Sequence, residues 1–253
     1  MYTKASLIRD LEKMRIDRKG TLFVHSAYRS IGPVDGGPDT VLDALIEYMQ
    51  DGLLVLPAHT WAYIGEHNPR FNPARDKTCV GVLTELFRQR PGVVRSLHPT
   101  HSVCALGKDA AAFASGEELQ DTPCGRQGCY GKLLDRSATI LLIGVDLIRN
   151  TFIHGVEEWH DVPNRLTEHL VPYVIELPDG TELSAPSRKH CGEIWSDHFW
   201  KVNDRFIRED VMYTGHFGLA DTRVVSAAAT YELLSRMLRE DPHLFDKNEP
   251  LTR

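Results

Sequence analysis

The run Thr139-Ile140-Leu141-Leu142-Ile143-Gly144-Val145 constrains the fold more than any other stretch of this chain. An unbroken apolar run of that length, rather than an alternating one, reads as a strand buried on both faces, which is the setting of a sheet covered by helices on either side. Further short apolar runs punctuate the sequence before it. Thr21 to His25, Gly52 to Pro57 and Val103 to Leu106 read as strands. Between them lie helical patterns: Thr3 to Met14 with Leu7, Leu11 and Met14 on one face, Pro38 to Met49, Val80 to Arg90, Asp109 to Ala114, and a helical turn over Lys132 to Arg136. The Pro38 helix is the best signalled, because proline suits its first turn and Val41, Leu42, Leu45, Ile46 and Met49 form a wide apolar stripe. Strands alternating with helices predict an α/β layered fold.

Past residue 170 the pattern changes. Val171 to Leu177, the turn Pro178-Asp179-Gly180 and Thr181 to Ala185 predict a β-hairpin attached to the same domain, and Asp221 to Arg239 reads as a closing helix carrying Val225, Ala229, Leu233 and Leu238. No repeat or linker-like stretch breaks the chain, so residues 1–253 are read as one domain. The stretch from Ala58 to Thr78 is too long for a mere connector and is expected to serve function.

Composition narrows the classes of function. A net charge of −6 shows no basic excess of the kind that marks duplex binding, so nucleic acid is not the expected partner. The longest apolar run falls far short of the roughly 20 residues that a membrane span needs. Five cysteines without a CxxC pair predict reduced thiols, and with no leader pattern at the N-terminus the expected compartment is the cytoplasm.

Three segments carry chemistry. His25-Ser26-Ala27-Tyr28-Arg29-Ser30 through Gly36-Gly37 lies between a strand and a helix start, where backbone N–H groups could cradle an anion or simply make a tight turn. His98-Pro99-Thr100-His101-Ser102 stands just before a strand, and its histidines either meet a ligand or cap a loop. Thr151-Phe152-Ile153-His154-Gly155-Val156-Glu157 follows the central strand, where ligands of open α/β sheets gather. On a helix His154 and Glu157 share a face, so the carboxylate fixes the imidazole tautomer and is expected to favour its protonated form; the bland alternative is a hydrogen-bonded pair within the fold.

Together, VHSAYRSIGPVDGG, GLLVLPAHTW, VGVLTELFR with RSLHPTHSVCALG, and TILLIGV with TFIHGVEEW resemble the aminoglycoside 3-N-acetyltransferase family, antibiotic acetyltransferases outside the GNAT class. The resemblance runs in register from about Leu22 to Glu158. It implies a single α/β/α sandwich with a mixed sheet, to which the hairpin is added, and acetyl-coenzyme A as co-substrate with no metal expected. It also implies His154 as catalytic histidine, Glu157 as its acidic partner and His25 near the reacting centre. Ser26, Ala27, Tyr28, Arg29, Ser30, Val34, Gly36 and Gly37 match the part that holds the cofactor, and Ser102 matches a serine lining its channel. The implied partner is a small-molecule amine; a homodimer is left open.

Two features depart from the family pattern. Gly128-Cys129 replaces a Ser-Pro pair, and Glu158-Trp159-His160-Asp161 is unusually polar. Three rival readings remain at this level. Cys129 or Cys104 would act as a covalent nucleophile. His98, His101, His154, Glu157 and His160 would bind zinc in a hydrolase. Or the chain would bind coenzyme A without catalysis. The acceptor is an aminoglycoside or another amine metabolite, and Glu66, Asp76 and the acids of Glu157–Asp161 are the expected partners of its ammonium groups.

Overall fold

The computed structural model describes residues 1–191 and 196–251. In chain order its elements are α1 (Lys4–Lys13), β1 (Thr21–Ser26), α2 (Gly37–Tyr48), β2 (Leu53–Pro57), β3 (Arg70–Phe71), α3 (Val82–Phe87), β4 (Val94–Arg95) and β5 (Val103–Gly107). There follow α4 (Ala110–Ala114), α5 (Cys129–Asp135), β6 (Thr139–Ile143), α6 (Phe152–Trp159), β7 (Val174–Glu176), β8 (Glu182–Ser184), α7 (Asn203–Arg208), β9 (Met212–Phe217), β10 (Ala220–Ser226) and α8 (Ala227–Glu240).

The main sheet has seven strands in the order β4-β5-β2-β1-β6-β10-β9. The pairs β2–β1 and β1–β6 are parallel, and the outer strands on both sides are antiparallel, so the sheet is mixed. Side chains alternate across it and build two cores. Leu22, Val24, Leu54, Leu56, Leu141 and Ile143 pack with Leu7 of α1, Leu45 of α2 and Leu83 of α3. Phe23, Leu53, Val55, Ile140 and Leu142 face the other way, against Leu133 of α5, Val156 of α6 and Leu234 of α8. This is the expected α/β/α sandwich. Its parity sends His25 to the same face as Phe23, with ring centroids 4.5 Å apart, and therefore toward α6.

Three expectations need correction. The stretch from Asp221 to Ser226 is strand, not the start of the last helix, which begins at Ala227 behind a Ser226 cap. Its β-branched residues Thr222, Val224 and Val225 pair antiparallel with β6, and β9 is a strand the sequence reading did not foresee. The central strand ends at Ile143, because Gly144 turns the chain at φ +63°, where an added Cβ would collide with the Ser30 hydroxyl. The hairpin forms as β7 and β8, but β3, from the Ala58–Thr78 excursion, joins it as a third strand over a small cluster containing Phe71, Tyr173 and Ile175.

Candidate functional site

Helix α6 follows β6 and presses Phe152, Ile153 and Val156 into the core, which leaves His154 and Glu157 on a shared flank. His154 Nδ1 lies 3.1 Å from Glu157 Oε2. Arg165 donates from Nε to Glu157 Oε1 at 2.6 Å and from its terminal nitrogen to Asp246 at 2.7 Å. The carboxylate is thus held on both oxygens, which fixes the proton of a neutral His154 on Nδ1 and leaves Nε2 as the basic nitrogen.

His154 is on the wall of a cavity of about 780 Å³ at the carboxyl end of β1 and β2, together with His25, His59, His101 and His190. Four of these rings form a row: His59 to His101 at 4.7 Å, His101 to His190 at 4.9 Å, and His190 to His154 at 4.5 Å between centroids. A second carboxylate stands behind the row, with Glu158 Oε1 2.6 Å from His190 Nε2. Consecutive acids on α6 therefore each hold one histidine.

Protonation follows burial here. Desolvation, reinforced by His190, lowers His154 below the ordinary histidine value and outweighs the opposing pull of Glu157. Glu157 does pull toward the charged ring, as expected, but burial, which the sequence does not show, prevails over it. Burial also pushes His25 down to about 3 and puts His59 and His101 well below the usual range. Among the described residues His25 Nε2 has no hydrogen-bond partner, a buried polar atom on the cavity wall that a ligand would satisfy.

A second cavity, of about 580 Å³, adjoins the first. Ser26 lines both, and Val80 of one continues into Gly81, Val82 and Leu83 of the other, opposite Ala27, Tyr28 and Arg29. The remaining expected cofactor residues are elsewhere. Ser30 spends its hydroxyl on the Ala27 carbonyl, Val34 bridges to Tyr2, and Gly36 and Gly37 shape the start of α2 with φ of +76° and +69°. Ser102 is fully buried, donating to the Ala58 carbonyl and accepting from Arg95, so it does not line the cavity.

Several alternatives close. His98 is a loop cap: its Nδ1 accepts from the backbone of Thr100 and His101, and its Nε2 meets the Thr122 carbonyl at 3.1 Å. His160 pairs with Ser235 on α8 at 2.7 Å. The zinc set foreseen from spacing is therefore not brought together. Cys129 donates to the Phe113 carbonyl within the core, and Cys104, on the opposite face of the sheet, has its thiol pushed up to about 12 by burial. Neither sulfur is a nucleophile for this cavity. Most of the expected ammonium partners are engaged: Glu66 by Lys189 and His169, Asp76 by the Asn72 backbone amide, Glu157 by Arg165 and Glu158 by His190, while Asp161 is exposed.

Sequence reasoning missed His59, His190, Glu158 as a ring holder, and Arg165. The polarity of the Glu158 segment was the one visible signal; His190 follows the hairpin, remote in sequence from everything it touches.

The aminoglycoside 3-N-acetyltransferase family model matches residues 23–239. A Bacillus subtilis protein, the SPbeta prophage-derived aminoglycoside N(3')-acetyltransferase-like protein YokD, is 28% identical over 88% of this chain and 88% of its own length. An aminoglycoside N(3)-acetyltransferase IV from Salmonella is 28% identical over 96% of this chain and 90% of its own. Among solved structures, aminoglycoside acetyltransferase AAC(3)-Xa aligns with a TM-score of 0.82 at 26% identity, covering 97% of this chain and 95% of that one. AAC-IIIb in binary complex with CoASH aligns at 0.82 and 25% identity, covering 94% and 97%.

Proposed function

The chain belongs to the aminoglycoside 3-N-acetyltransferase family, and from that premise we propose that it transfers an acetyl group from acetyl-coenzyme A to an amino group of an aminoglycoside, the amine attacking directly in a ternary complex. The observation that carries this reading is the His154–Glu157 pair on the wall of a large cavity, with a free basic nitrogen.

Bound acetyl-coenzyme A supplies an acyl group activated as a thioester. The residues fit such a guest: the run of two cavities joined at Ser26 suits an extended ligand, and the orphaned His25 Nε2 marks a polar contact at the inner end. Ser26, Ala27, Tyr28 and Arg29, facing Gly81 to Leu83, are the residues that hold it in this reading.

Most alkylamines are protonated near neutral pH, so the site must first take a proton. His154 Nε2 accepts it, and Glu157, held in place by Arg165, stabilises the imidazolium that results. His25 contributes as a neutral hydrogen-bonding ring and not as an acid, given its low proton affinity. The Ser26 hydroxyl or nearby backbone N–H groups stabilise negative charge developing on the carbonyl oxygen.

The charged residues of the larger cavity favour a second reading, an amine acceptor less cationic than an aminoglycoside. Among the described residues, Arg149, Arg165 and Lys189 line it against Asp197. A thiol-release assay with acetyl-coenzyme A, run against aminoglycosides and simple amines, tests both. Release with aminoglycosides supports the first, release confined to simple amines the second, and coenzyme A binding without release against any amine overturns both.

A further inference from the structure

We propose that Cys124, Glu158 and His190 form a binding site for a divalent cation of the zinc class, set in the cavity wall beside His154. One donor atom from each of the three side chains lies within 4.8 Å of the others. They come from three separate parts of the chain: the loop before α5, helix α6, and the segment after β8. Cys124 and Glu158 are buried and His190 is nearly so, with 13% of its side chain exposed on the cavity wall.

The local bonds look like a prepared ligand set. The Cys124 backbone N–H donates to both Glu158 oxygens, at 3.0 and 3.1 Å, and His190 Nε2 holds one of them at 2.6 Å, so the carboxylate is oriented. The Cys124 sulfur is in long contact, 3.9 Å, with the Thr151 carbonyl and also faces the Glu158 carboxylate, which with burial holds its thiol well above the ordinary value. While no cation is present the carboxylate keeps the thiol protonated, because two buried negative charges side by side would repel. With a dication, a thiolate and a carboxylate balance the charge and a neutral imidazole completes the donors, which removes the cost of burying uncompensated charge.

The donor chemistry selects the ion. Magnesium and calcium take oxygen ligands, whereas thiolate with imidazole and carboxylate suits zinc. Tetrahedral zinc holds such atoms roughly 3.5 Å apart, so the His190–Glu158 pair at 2.6 Å must open while no donor pair starts more than 4.8 Å apart, adjustments of the size that side-chain rotation supplies. On binding, the Cys124 thiol releases its proton to solvent. The His190 proton moves to Nδ1, freeing the Nε2 lone pair for the metal, and no electron changes hands. A fourth position remains for water, as at zinc sites with three protein ligands.

The test uses the full chain, treated with chelator and titrated with cobalt(II), whose thiolate complexes absorb in the near ultraviolet. One equivalent per chain should bind with a thiolate-to-cobalt charge-transfer band, and zinc should displace it. Cys124→Ser should abolish the band, and His190→Gln should weaken binding by at least about tenfold, while Cys79→Ser, which alters a partly buried thiol on the same cavity but outside the donor set, should change neither. Absence of saturable binding by the unaltered protein overturns the proposal without reference to any variant. So does a band that survives Cys124→Ser, or an affinity unmoved by His190→Gln. None of these readouts depends on acetyl transfer.

Discussion

Glu157 touches His154 with one carboxylate oxygen and Arg165 with the other, at 3.1 and 2.6 Å, while itself remaining fully buried. The arginine fixes the acid in place, and the acid sets which nitrogen of the histidine is free. The three residues behave as one device, so substitutions along it are expected to differ in kind.

His154→Ala removes the proposed base. Turnover should fall by about 10² or more, the usual scale for such a loss, with coenzyme A binding by calorimetry nearly unchanged. Glu157→Gln keeps a hydrogen-bond acceptor and should cost less. Turnover of the alanine variant within a few fold of the parent would take His154 out of the mechanism.

Arg165→Leu strands the charge of Glu157 in the interior. Breaking a buried ion pair by removing one partner costs roughly 3–5 kcal/mol, and the Asp246 contact is lost with it. Chemical denaturation should show that loss, and turnover should fall along with it. A stability change under about 1 kcal/mol would mean that water reaches the pair.

Acid should destabilise the protein from near pH 6.5 downward. Burial lowers His98 from 6.5 to about 3, so the folded form excludes a proton that the unfolded chain binds. Its contribution is complete above pH 6.5 and is lost as the pH falls toward 3, on the order of 4 kcal/mol across the window. His98→Gln should be less stable at pH 7, where two loop amides lose their acceptor, yet its stability should vary less between pH 7 and 4. Parallel curves for the two proteins would refute this.

Glu117 predicts the opposite slope. Burial raises its carboxyl from 4.5 to about 7, although the Cys129 amide donates to it, and among the described residues its second oxygen has no partner. The folded state therefore holds a proton that the unfolded chain releases, and stability drops as pH rises from 4.5 to 7, by about 3 kcal/mol. Glu117→Gln carries no charge at any pH. It should be the more stable protein at pH 8, and melting at pH 5 and pH 8 would reveal a gap that opens with alkalinity.

What the sequence alone determined is local and periodic. Thr139 to Val145 announced a doubly covered strand, the stripe from Val41 to Met49 announced α2, and the spacing of His154 and Glu157 put them on one helical flank; each follows from neighbours a few residues apart. The tertiary structure decided the rest, because its causes are contacts between distant residues. Asp221 to Ser226 becomes strand only because β6 offers an edge to pair with. His98 caps a loop while His101, three positions on, joins the cavity, since the path of the chain and not the residue type aims each ring. The row from His59 to His154 unites segments about a hundred residues apart, and the low proton affinity of His59, His101 and His154 is a property of the enclosure, which no spacing of letters encodes.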